Sequence, residues 1–259
     1  MATEIKIRDY SLFHDVVKAM TKLTNAAKFQ IGPDGLEVYG KNVFARGEFT
    51  TNSVYSDEPV EFCLDDVSLL LKILTSVGEI HKDESDMADL HFMFDSPHVR
   101  IESKKFKTKI NTRNESVIEN FISKKITTKM EPVLEFSTTS DTIKYINQHS
   151  FIFSNLSMAR IYIATNPEME NNTIYATIGN NETDLNNSIT LKLGLVTFGS
   201  DEGRTIILDF DRLNIFNIVQ SDDIKIQLMD RNALIYKAQF TGKNESYFNM
   251  LVCSSMLAK

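Results

Sequence analysis

The sequence predicts an α+β protein in which one plan, antiparallel strands with two amphipathic helices, occurs twice. Three observations carry this. Four short segments, near 11–24, 65–77, 140–150 and 209–219, place apolar residues at helical spacing, while most of the remainder alternates like strands. The order strand, helix, strands, helix, strands recurs on either side of a polar stretch at 111–132. Last, Pro59-Val-Glu-Phe-Cys-Leu-Asp-Asp-Val and Arg204-Thr-Ile-Ile-Leu-Asp-Phe-Asp-Arg share an apolar strand, an Asp cap and the start of an amphipathic helix. The expected domains are 1–110 and 133–259, with 111–132 as a connector.

Residues 5–8 read as an opening strand, and Ser11 offers an N-cap before Leu12, Phe13, Val16, Val17, Met20 and Leu23. Strands 28–31 and 36–39 flank Asp34-Gly35, a tight-turn pair, and further strands follow at 43–50 and 60–64. Asp65 or Asp66 then caps a second helix with the stripe Val67, Leu70, Leu71 and Leu74, which Gly78 is placed to end. Strands 90–94 and 98–102 surround Asp95-Ser-Pro, and the second can run on through 104–110. The connector is polar, with Val117, Ile118, Phe121 and Ile122 interspersed. Beyond it the reading gives strand 133–137, helix 140–150, strands 160–165, 173–179, 188–196 and 205–208, helix 209–219, and strands 224–229, 233–240 and 247–252.

Composition is that of a globular protein, with 42% hydrophobic and 24% charged residues. A net charge of −7 excludes a protein that coats nucleic acid by bulk electrostatics, so any affinity for a polyanion must be local. Cys63 and Cys253 fall in apolar, strand-like runs and read as buried free thiols, which fits a reducing compartment. The N-terminal residues lack the apolar core of a signal peptide, and no apolar run approaches the about 18 residues of a membrane span. The expectation is a protein that is not secreted and has no membrane partner.

Catalytic and metal signatures are missing from the sequence. Gly35 to Asn42 approaches a phosphate-binding loop, but Asn42 stands where Ser or Thr would hold magnesium, and 36–39 alternates like a strand. His14, His81, His91, His98 and His149 lack metal-ligand spacing, although His91 and His98 could meet across the Asp95 hairpin. No nucleophile and base pair is visible, so the reading is no enzyme, no cofactor and no metal.

The chemistry that is present lies on the helices. None of the chain's 17 glutamates falls in the four helical segments, although glutamate is a good helix former. Asp65, Asp66, Asp141, Asp209 and Asp211 sit in first turns, as capping and the helix dipole favour, while Lys18, Lys22, Lys72, Lys144 and Arg212 lie further in. A few cations per helix, without stacking aromatics or a base-reading motif, suit loose, sequence-independent phosphate contact. Such contacts hold weakly, and a closed ring would prevent escape by topology.

With these features the chain resembles the DNA sliding clamps of the proliferating cell nuclear antigen type and the related phage and archaeal processivity clamps. The resemblance spans nearly the whole chain. It rests on the first helix with Gly35-Leu-Glu-Val, on 64–74, on the connector, and on 208–216 with the closing strands. It implies two clamp domains per chain, each with two helices packed on antiparallel sheets, and three chains in a six-domain ring. Helices would line the pore around double-stranded DNA, with His14, Lys18, Lys22, Lys72, Lys144, His149 and Arg212 facing it. Strand 105–110, with Lys107, Lys109 and Ile110, would pair with 173–179 of the next subunit, including Ile174, Tyr175 and Thr177. Phe44, Val117, Ile118, Phe121, Leu251 and Met256 would form a groove for polymerase peptides.

The implied function is a processivity factor, a homotrimer that tethers a replicative DNA polymerase and is loaded by a separate ATP-driven clamp loader. Its place would be the cytoplasm or the replication compartment of a host cell, or the nucleus of a eukaryote, and the Asn, Ile and Lys usage fits an AT-rich, viral genome. Two departures stand out: His14-Asp15 replaces a pair of lysines, and the ending Met-Leu-Ala-Lys lacks a groove-shaping proline. The alternative reading is a two-domain β-rich interaction module that does not bind DNA.

Overall fold

A computed structural model of the chain describes residues 2–42, 45–81, 90–119, 126, 131–150, 160–165, 172–179, 188–200, 206–208, 214–229, 233–243, 245–253 and 255–256. The chain divides into two compact units: 1–126 with 245–247, and 127–244 with 248–259. Both are α+β, with antiparallel sheets.

The first unit runs β1 (Thr3–Ile7), α1 (Tyr10–Leu23), β2 (Ala27–Gly32), β3 (Gly35–Lys41), β4 (Ala45–Thr51), β5 (Val54–Tyr55), β6 (Val60–Leu64), α2 (Val67–Ile80), β7 (His91–Asp95), β8 (His98–Glu102) and β9 (Lys107–Asn111). A four-residue helix, α3 (Glu115–Ile118), follows. One sheet has the order β5-β1-β7-β8-β9, and β6-β2-β3-β4 is the second run. Between them lies an aromatic core: Phe29 stacks on Phe62 at 5.1 Å, Phe62 on Phe94 at 5.8 Å, and Phe13 meets Phe92 edge-on at 6.1 Å. The apolar stripe of α1 is buried at Leu12, Phe13, Val16, Val17, Ala19, Met20 and Leu23, which anchors the helix on this core. Gly40 permits the approach of β3 to α1, because a Cβ there would collide with Thr24 Cγ2 and Met20 Sδ.

Four local expectations are corrected. Asp9, not Ser11, caps α1: its carboxylate accepts the Leu12 N–H at 2.9 Å, and the helix begins at Tyr10. Gly32 pairs with Gly35, so the β2–β3 turn is Pro33-Asp34, with Gly35 at φ +136° closing it. Asp66 caps α2 as anticipated, but the helix continues past Gly78 to Ile80 and takes in Glu79. Gly78 instead lies beside the Tyr10 ring, whose hydroxyl donates to the Leu74 carbonyl. The two histidines do not meet, since His91 lies opposite Glu102 and His98 opposite Asp95.

The second unit runs β10 (Pro132–Thr138), α4 (Ser140–Ser150), β11 (Arg160–Thr165), β12 (Thr173–Gly179), β13 (Ile189–Gly199), β14 (Ile206–Leu208), a 3-10 turn (Asn214–Asn217), β15 (Ile224–Met229), β16 (Ala233–Gln239), β17 (Tyr247–Cys253) and β18 (Ser255–Met256). The strand order is β18-β14-β11-β12-β13-β10-β15-β16-β17. Phe216, in the 3-10 turn, packs on Tyr236 at 5.6 Å and Phe248 at 6.1 Å within the core. Of the fourth expected helix, the described residues show only that turn, and 209–213 lie outside them.

Candidate nucleic-acid interface

Two contacts set α1 and α2 antiparallel: Asn25, past the end of α1, accepts the Val67 N–H at 2.8 Å, while Tyr10 bonds to the second half of α2. Burial raises the Tyr10 pKa to about 12, so this hydroxyl stays a donor. Lys18 and Lys22 on α1 and Lys72 on α2 are exposed, and none makes an ion pair among the described residues. Thr75 and Ser76 share the exposed face of α2. A polyanion lying along the two helices would meet three exposed ammonium groups and small hydroxyls, a surface without base selectivity.

The other expected DNA-facing residues are held differently. His14 Nε2 lies 3.1 Å from Thr75 Oγ1, and Thr75 itself donates to Leu71 O, so the imidazole N–H is the donor. His14 therefore braces α1 against α2. Lys144 donates to Gln220 Oε1 at 2.6 Å and lies 3.6 Å from Asp141, with its side chain only 25% exposed. His149 Nδ1 donates to the Tyr145 carbonyl at 2.8 Å, and the two rings stand 4.1 Å apart. Arg212 lies outside the described residues. Sequence periodicity missed Leu69, which is 42% exposed on α2, whereas Tyr145 is 52% exposed on the face where helix phase puts it.

The strand edges correct half of the interface expectation. Among the described residues β9 pairs only with β8 and forms an edge, carrying exposed Lys107, ion-paired to Glu102 at 3.1 Å, exposed Lys109, and inward-facing Ile110. Ile174, Tyr175 and Thr177 lie on β12, which is hydrogen-bonded on both sides, to β11 and to β13. A strand with both edges filled cannot accept another, so these three residues are not the pairing partner. Among the described residues the first half of β13 has a ladder partner on one side, β12. The residues of β13 from Leu195 onward pair with β10, and Thr138 of β10 donates its hydroxyl to the Leu193 carbonyl at 2.5 Å, whereas Ile189 to Lys192 have β12 as their ladder partner. The signal was strand length, because β13 has 11 residues against 7 in β12.

The connector begins as a latch on β6 and β2. Arg113 donates its N–H to Cys63 O at 2.9 Å and its Nε–H to Asp65 at 2.6 Å. Lys28 then bridges Glu61 and Glu115, each at 2.8 Å. Burial opposes charge on Lys28, but the two carboxylates outweigh it and its pKa rises. Burial likewise opposes charge on Glu61, but Lys28 and Gln30 hold its pKa below the ordinary value. Ile118, only 3% exposed, packs with Ala26 and Cys63, which removes it from the expected groove: it tacks the connector down. Val117, 68% exposed, remains available. Leu251 is half-buried on β17, while Phe44, Phe121 and the Met256 side chain lie outside the described residues.

Comparison with solved structures is end to end. The chain is similar to the Proliferating Cellular Nuclear Antigen of Entamoeba histolytica, with a TM-score of 0.67 and 14% identity over 98% of this chain and 100% of that one. It is similar to A. fulgidus PCNA, solved with the C-terminal region of FEN-1 bound, at TM-score 0.71 and 12% identity over 100% of both. The fold is that of the PCNA sliding clamps. A third likeness, to the PCNA2-PCNA3 complex of Sulfolobus tokodaii, has TM-score 0.64 and 12% identity over 98% and 99% of the two chains. No protein-family model and no curated protein matches the sequence. The clamp fold is thus carried by strand order and apolar patterning, which tolerate wide exchange of residues. No helix among the described residues is long and apolar enough to cross a membrane, and no group of three or more His, Cys, Asp or Glu there could hold a metal.

Proposed function

We propose that the protein is a non-enzymatic sliding clamp, a homotrimeric ring that encircles double-stranded DNA without sequence specificity and tethers a replicative polymerase. The observation that carries this reading is the clamp fold over the full chain, joined to a glutamate-poor α1–α2 face whose lysines make no ion pair among the described residues. In it, Lys18, Lys22 and Lys72 contact phosphates, with Arg212 as a further candidate, while His14, Lys144 and His149 act chiefly within the helix layer. The β9 edge would pair with Ile189 to Lys192 of the next subunit. An exposed Val117, with Leu251, Phe44, Phe121 and Met256, would make the partner groove on domain 1, connector 111–132 and domain 2. An ATP-driven loader would open the ring, and the protein would work in the cytoplasm or replication compartment, or in a eukaryotic nucleus.

Light scattering tests the ring: a mass about three times the 29.5 kDa chain is expected, and a monomer at every concentration would overturn it. Joint reversal of Lys18, Lys22 and Lys72 to Glu should leave that mass intact and abolish retention on circular DNA. Undiminished retention would favour the interaction module that does not bind DNA.

A further inference from the structure

We propose that Glu48 is a positioning residue that fixes the far end of the connector's first stretch, through the backbone of Ile126. This rests on the reading of the connector as a partner surface. Glu48 lies on β4 and is 4% exposed, the one buried carboxylate among the described residues. Its Oε2 accepts the Ile126 N–H at 2.8 Å, across 78 positions of sequence. A carboxylate is costly to bury unless its oxygens are hydrogen-bonded, so a backbone donor brought to it is held firmly. The connector's beginning is fixed separately by Arg113, Glu115 and Ile118 on β6 and β2. The two ends of the stretch are thus held by separate contacts, and a connector held at both ends meets a docking peptide with less ordering cost than one held at neither.

A mere scaffold role for Glu48 would require only that β4 stay folded. A positioning role depends on an acceptor at that point, which Gln retains and Ala lacks. Amide exchange of the intact protein separates the two. In Glu48→Ala, exchange at Ile126 should quicken about tenfold or more, while Val38 and Phe49 on β3 and β4 keep their protection. In Glu48→Gln, Ile126 should stay within about threefold of the parent. Equal loss of protection in both variants, or none in either, would overturn the anchor.

The consequence for docking is read with the C-terminal peptide of FEN-1 as probe. Binding about tenfold weaker in Glu48→Ala and near-parental in Glu48→Gln supports positioning, and equal binding in all three proteins overturns it. A peptide that fails to bind the parent counts against the partner-groove reading, and the exchange result still decides the anchor.

Discussion

Lys28 of β2 and Glu115 of the connector meet at 2.8 Å although 87 positions separate them, and Glu61 completes the pair as a triad around one ammonium group. The arrangement makes the start of the connector an electrostatic latch.

Removing the cation should therefore loosen the connector and leave two carboxylates facing each other. Lys28→Met is expected to cost about 1 kcal/mol, the modest figure reflecting solvent screening of the half-exposed acids. Glu61 has a lowered pKa, so its contribution is present above the ordinary value of 4.5 and fades as pH falls through the lower folded value. Lys28 has a raised pKa, so its contribution is full below 10.5 and is lost as pH rises through the higher folded value. Protection of the Ile118 amide should be flat from about pH 5 to 10 and fall outside that window. A profile unchanged by Lys28→Met would refute the latch.

The cap of α1 gives a direct contrast. Asp9→Ala should lower stability by about 1 kcal/mol, and Ser11→Ala by less than about 0.5 kcal/mol. Urea midpoints measure both, and a larger loss at Ser11 would reverse the assignment.

The lysines should separate by their partners. Each of Lys18→Ala, Lys22→Ala and Lys72→Ala should reduce the salt slope of DNA retention by about one. Lys144→Ala should change the slope less, because that ammonium is already held by Gln220 and Asp141. Four equal slopes would show that the helix faces do not act as described.

Strand edges can be tested by covalent capture. Lys109→Cys with Lys192→Cys should yield cross-linked multimers on treatment with a short bismaleimide, whereas Lys109→Cys with Thr177→Cys should not. Cross-linking through Thr177 alone would restore β12 as the contact.

The α+β plan and the order of nearly every strand were legible in the sequence because burial imposes periodicity, and α1 and α2 announced themselves by their stripes. The cap of α1 was misassigned because Asp9 and Ser11 are both good caps, and only backbone geometry chooses between them. Edge status was invisible for a different reason: Tyr175 and Lys192 are cross-strand neighbours with similar local alternation, and which edge stays open depends on where β10 stops pairing. Among the site residues, exposure of Lys18 and Lys72 followed from helix phase. The engagement of Lys144 by Gln220, 76 positions away, had no local signal.

The length of β13 has a mechanical consequence. One covalent strand is gripped by β12 over its first half and by β10 over its second, with a register shift where Glu135 and Phe136 lie opposite. Load applied to the first half is transmitted along the backbone into the β10 ladder instead of ending at a loop. Peeling this edge thus resembles pulling a plank nailed at both ends, and resistance to tearing is shared across the second unit's sheet.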